Sequence, residues 1–161
     1  MNTLLLLMIL AGDPANCPMH AQHTAAAKHE VDTRGDQVMG FSHEKTKHTF
    51  RLLKEGGAIE VRANDAKDAE SIAQIRTHLQ EIAKEFAAGT YVKPQNIHGR
   101  MPDGVAVMQD LRDEIRFTYE ELDRGARVLV QTKNARAREA VHAFMKFQIG
   151  DHRTGDSLTV E

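Results

Sequence analysis

The sequence predicts an α+β fold: a four-stranded antiparallel sheet with two helices on one face. Three observations carry that expectation. Segments alternating apolar and polar residues occur in two pairs, each pair joined by a glycine-containing turn. An apolar stripe of helical period follows each pair. The chain has 161 residues, 41% hydrophobic and 27% charged, which suits one packed domain with short appendages.

The first hairpin opens near Thr46. His48, Phe50 and Leu52 alternate with Lys47, Thr49 and Arg51, Lys54-Glu55-Gly56-Gly57 turns the chain, and Ile59, Val61 and Ala63 alternate with Glu60 and Arg62. A helix follows, capped by Asn64 or Asp65, with Asp68 and Glu70 at its positive end. Its stripe is Ile72, Ile75, Leu79, Ile82 and Phe86, and Gly89 stops it. Residues Gly89 to Asp103 read as a long irregular connection, followed by a short helix from Asp103 to Arg112. Ile115, Phe117 and Tyr119 then begin a second hairpin, turned at Asp123-Arg124-Gly125 and returning through Val128 and Val130. A second helix spans roughly Ala135 to Ile149, with Val141, Phe144, Met145, Gln148 and Ile149 on or beside its buried stripe. Strand-strand-helix thus occurs twice, the pattern of an internal duplication.

Ahead of this domain, Leu4 to Ala11 are apolar without a break. The run is too short for a membrane span, which needs about 20 residues, and has the length of a signal-peptide core. Only Met1, Asn2 and Thr3 precede it, none charged, so the basic start of a signal peptide is missing. Residues 16–40 are polar, with alanines and histidines, and allow at most a short helix around Gln22 to Val31. The expected organisation is a signal-like segment at 1–15, a tail at 16–40, one α+β domain at 41–155 and a C-terminal tail at 156–161. Export implies a periplasmic or secreted location.

Formal net charge is −2, from 21 basic and 23 acidic side chains, so nucleic acid is not an expected partner. A single cysteine excludes an intrachain disulfide. Nine histidines and seven methionines point toward metal. The sharpest local cluster is Cys17-Pro18-Met19-His20 with His23: a thiolate, a thioether and two imidazoles, soft donors that suit Cu(I) best and Zn(II) next. Cys-Pro-Met-His resembles the same four-residue segment of small heavy-metal-binding modules on bacterial copper-handling proteins. Further along, MGFSHEKTKHTFRLL, GGAIEV, GVAVMQDL and FMKFQIGDHRTGD resemble an uncharacterised family of small exported bacterial proteins, over about residues 16 to 158. That resemblance implies a shared fold and an envelope location, and carries no activity.

A second set of donors is spread through the domain. His48 shares a strand face with Phe50 and Leu52, His78 and His142 flank the two helical stripes, His43 and His98 fall in loops, and His152 follows the last helix. Convergence of three would make a zinc or copper site or give haem an axial ligand, with Tyr91 or Tyr119 near the centre. Enzyme signatures fail: His43 and His48 are five apart and run into a strand, whereas a zinc-protease helix needs four. No Gly-x-Ser-x-Gly elbow is present. Three functions follow from this pattern: an exported copper-handling protein, a metal- or haem-dependent redox enzyme, or an envelope interaction domain pairing with itself or with a partner protein.

Overall fold

The computed structural model describes residues 30–161. The signal-like segment and the donors Cys17, Met19, His20 and His23 lie outside the described residues. Within them the chain runs α1 (through residues 30–39), β1 (Thr46–Leu53), β2 (Gly56–Ala63), α2 (Ala69–Ala87), α3 (Val92–His98), α4 (Val105–Asp110), a 3-10 turn (Arg112–Glu114), β3 (Arg116–Leu122), β4 (Gly125–Gln131) and α5 (Ala135–His152). No described helix is long and apolar enough to cross a membrane.

The four strands form one antiparallel sheet in the order β1-β2-β4-β3. Both hairpins turn on two residues, Lys54-Glu55 and Asp123-Arg124, and the hairpins join through β2 and β4. The expected turn glycines have a different task. Gly56 and Gly125 are the first residues of β2 and β4, where the two hairpins cross. A Cβ on Gly56 would lie 2.0 Å from the Val130 carbonyl oxygen, and one on Gly125 would lie 2.1 Å from that of Val61. Any side chain there would push the hairpins apart.

Register fixes what faces the core. Phe50 pairs with Ile59, Ile59 with Val128, and Val128 with Tyr119, so these four share a face. His48, Val61 and Ala126 occupy the next row on the same side. Helix α2 packs on β2, β4 and β3, while α5 packs on β1 and β2. The predicted α2 stripe is buried through Ile75, Leu79, Ile82 and Phe86, and α5 buries Val141, Phe144, Met145 and Ile149. Asp68, rather than Asn64 or Asp65, caps α2 by accepting from the Ser71 backbone N–H at 3.0 Å. Asn134 caps α5 in the same way through Ala137.

Four segments differ from expectation. The 89–103 connection contains α3, with Pro94 in its first turn, where a missing N–H costs nothing. Helix α5 passes through Gly150 to His152, whose half-buried side chain reaches the same cavity as Phe144 and Gln148. Val31 and Met39 of α1, together with Phe41, enter the core although 16–40 reads as a tail. Finally, residues 156–161 dock on β1. Asp156 accepts the Phe50 backbone N–H at 2.8 Å, Val160 bridges Leu52, and Glu161 exchanges backbone hydrogen bonds with Leu52 and Lys54.

Candidate functional site

Six elements meet at one cavity of about 50 Å³. Its walls include Met39 at the end of α1, His48 and Phe50 of β1, Ile59 and Val61 of β2, and His78, Leu79 and Ile82 of α2. Pro94, Ile97 and His98 of α3 and Phe144, Gln148 and His152 of α5 complete it, with Lys93 at one side. The sequence explains each placement. His48 follows the even-numbered alternation that turns Phe50 and Leu52 inward. His78 stands three residues after Ile75 and four before Ile82, in the apolar column. Phe144, Gln148 and His152 are successive i, i+4 neighbours on α5.

The imidazoles form a connected group. His48 and His152 lie with ring centres 5.6 Å apart and planes within 3°, and His98 meets His152 edge-on at 4.9 Å. Phe50 stacks near both His48 and His152, while Phe41 contacts His48 and His78. His98 is clamped at both nitrogens: Nδ1–H donates to Asp151 Oδ2 at 2.5 Å, and Nε2 lies 3.0 Å from Gln148 Oε1. By contrast, the ring nitrogens of His48, His78 and His152 have no hydrogen-bond partner among the described residues. Lys93 is held away by Glu81 at 2.8 Å and Glu85 at 2.6 Å, both on α2.

Burial holds these three imidazoles neutral. His48 is lowered to about 4, by burial first and then by the neighbouring His78 and His43. His78 is lowered to about 4 by burial and by the Lys93 charge, with Glu81 opposing. His152 falls to about 3 through burial, His48 and His98, with Asp151 opposing. Neutral imidazole with a free ring nitrogen is the ligand form for transition metals. Even so, no three His, Cys, Asp or Glu side chains among the described residues are gathered into a set that could hold a metal ion.

Of the predicted body donors, His48, His78 and His98 reach the cavity, and His43 and His142 do not. His43 sits in the turn after α1, with Nδ1 3.0 Å from both carboxylate oxygens of Asp36. His142 Nε2 contacts the Leu53 carbonyl oxygen at 2.9 Å, tying α5 to the end of β1. His98 ends a helix rather than occupying a loop, and His78 is buried rather than flanking. Neither tyrosine lines the cavity: Tyr91 is buried against Phe86 and Phe144, and Tyr119 lies half-buried on β3. Met39 and Gln148 join the site without having been read as donors, and His152, expected after the last helix, joins it as the final residue of α5. The signal for His152 was its spacing, eight residues beyond Phe144, legible once α5 is carried through Gly150.

Comparison with protein-family models, with curated proteins and with solved structures returns no match.

Proposed function

We propose that this protein is an exported metal-handling protein that holds Cu(I) between His48 and His152 and captures it with Cys17, Met19, His20 and His23. The observation that carries the reading is the pair of neutral, facing imidazoles whose nitrogens no described side chain occupies. Ring centres 5.6 Å apart lie within about 6 Å, the limit for an ion bound at about 2.0 Å to one nitrogen of each ring. Because imidazole lone pairs lie in the ring plane, the near-parallel rings must turn about their side-chain torsions to share it. Cu(I) accepts few ligands and soft ones, so two imidazoles, with His78 and the Met39 thioether on the same wall, suit it better than a closed four-ligand cage. Size favours an ion over haem, because pockets for drug-sized ligands run from about 300 Å³ upward and this one is about 50 Å³. The signal-like segment 1–15 supports action outside the cytoplasm.

Anaerobic titration of the full chain with Cu(I) against a chromophoric chelator tests the proposal. His48→Gln and His152→Gln each weaken binding about tenfold or more if the rings are ligands. Cys17→Ser with Met19→Leu slows loading and leaves the final affinity of the cavity in place. Unchanged affinity and stoichiometry in both histidine variants would refute the cavity as the site.

A further inference from the structure

The two edges of the sheet are treated differently by the chain. Along β1 the C-terminal residues block pairing: Asp156 takes the Phe50 N–H, Val160 bridges Leu52, and Glu161 occupies the Leu52 carbonyl and the Lys54 N–H. Along β3 no described strand pairs on the outer side. Its seven residues, RFTYEEL, contain neither proline, glycine nor lysine, and its register with β4 runs without a bulge from Arg116 to Leu122. Of the devices that ordinarily protect an edge, β3 carries only side-chain charge, at Arg116, Glu120 and Glu121, and these charges are of both signs.

We infer that β3 is the interface for a second copy of this chain, pairing antiparallel to its own β3 about Thr118. In that register Thr118 faces Thr118 of the partner, Phe117 faces Tyr119, and Arg116 faces Glu120, the last two pairs occurring twice by symmetry. Charge complementarity selects this alignment. Arg116 is exposed and has no ion-pair partner among the described residues, while Glu120 already accepts from Arg127 at 2.7 Å and has a second oxygen to offer. Centring on Tyr119 instead would set Arg116 against Leu122, whose carbonyl oxygen already accepts from Arg76 at 2.9 Å. Phe117 and Tyr119 are each half-buried, so cross-strand pairing would cover apolar surface on both chains. The product is an eight-stranded continuous sheet whose two outer edges are both covered by C-terminal residues.

Sedimentation equilibrium of the full chain, from micromolar to near-millimolar concentration and with reductant present so that Cys17 cannot link chains, tests the inference. The expected species has twice the 18.0 kDa mass of one chain. Arg116→Glu sets glutamates opposite each other in both pairs and weakens association about tenfold or more. Glu120→Arg does the same with arginines, and an equimolar mixture of the two variants regains dimer mass, because each opposes the other's charge. Circular dichroism establishes that both variants are folded. A single-chain mass throughout, a dimer that Arg116→Glu leaves intact, or a mixture that stays monomeric would each overturn the β3 pairing.

Discussion

His48, His78 and His152 are kept neutral by burial, and this makes stability depend on pH in a definite direction. Their folded-state values, about 4, about 4 and about 3, lie below the ordinary 6.5. The unfolded chain therefore takes up protons that the folded chain refuses once pH drops below 6.5. Stability is full above that pH and drains as pH falls toward 4, at about 1.4 kcal/mol per pH unit for each imidazole. Thermal midpoints measured from neutral pH downward should show that decline, and His152→Gln should flatten it by about a third; a midpoint indifferent to pH would contradict it. Tyr91 gives a second test at a single side chain. Its hydroxyl is buried without a hydrogen-bond partner among the described residues, and burial raises its pKa. Tyr91→Phe removes a desolvated polar atom and keeps the ring against Phe86, so chemical denaturation should show stability unchanged or raised by about 1 kcal/mol. A clear loss would reveal a hydroxyl partner.

Strands and helices were legible where periodicity alone decides them. Alternation from Thr46 to Ala63 and the stripe from Ile75 to Phe86 located β1, β2 and α2 to within a few residues. Less legible were elements set by tertiary contact. Helix α3 carries a proline and too short a stripe to announce itself, and it forms because Pro94, Ile97 and His98 close the cavity. The C-terminal residues look like a tail because their role is to satisfy β1 backbone groups, which leaves no apolar pattern. Glycine illustrates the same division. Gly56→Ala or Gly125→Ala should cost about 3 kcal/mol in urea unfolding, by forcing a Cβ onto a neighbouring carbonyl. Gly150→Ala, in α5 with open space around the new Cβ, should instead stabilise by about 1 kcal/mol. Equal effects at the three positions would refute the close approach of β2 and β4.

Taken together, the chain sets a histidine-lined cavity where a sheet and four of its helices converge. On the opposite face of the sheet, Glu60 is buried among Arg51, Arg62 and Arg127, the shortest pair being Arg62 to Glu60 at 2.6 Å. Alternation in the sequence puts Glu60 and Arg62 on the side away from Ile59 and Val61, but spacing cannot show that one carboxylate is enclosed by three guanidiniums. The candidate site was half legible for a similar reason: strand parity placed His48, whereas the meeting of His48 with His152 depends on how α5 lies across β1. Low imidazole pKa values carry a consequence for metal retention. Copper held by His48 and His152 should stay bound near pH 5, where ordinary histidines with a pKa near 6.5 are mostly protonated. Dialysis at that pH followed by elemental analysis should find copper in the wild type and a marked loss in His152→Gln.

The most direct test is X-ray absorption at the copper edge of the Cu(I)-loaded full chain. Two imidazole nitrogens at about 2.0 Å, with one of them lost in His48→Gln, are the predicted result. A spectrum of sulfur donors alone, unchanged in His48→Gln and His152→Gln, would contradict metal binding in the cavity.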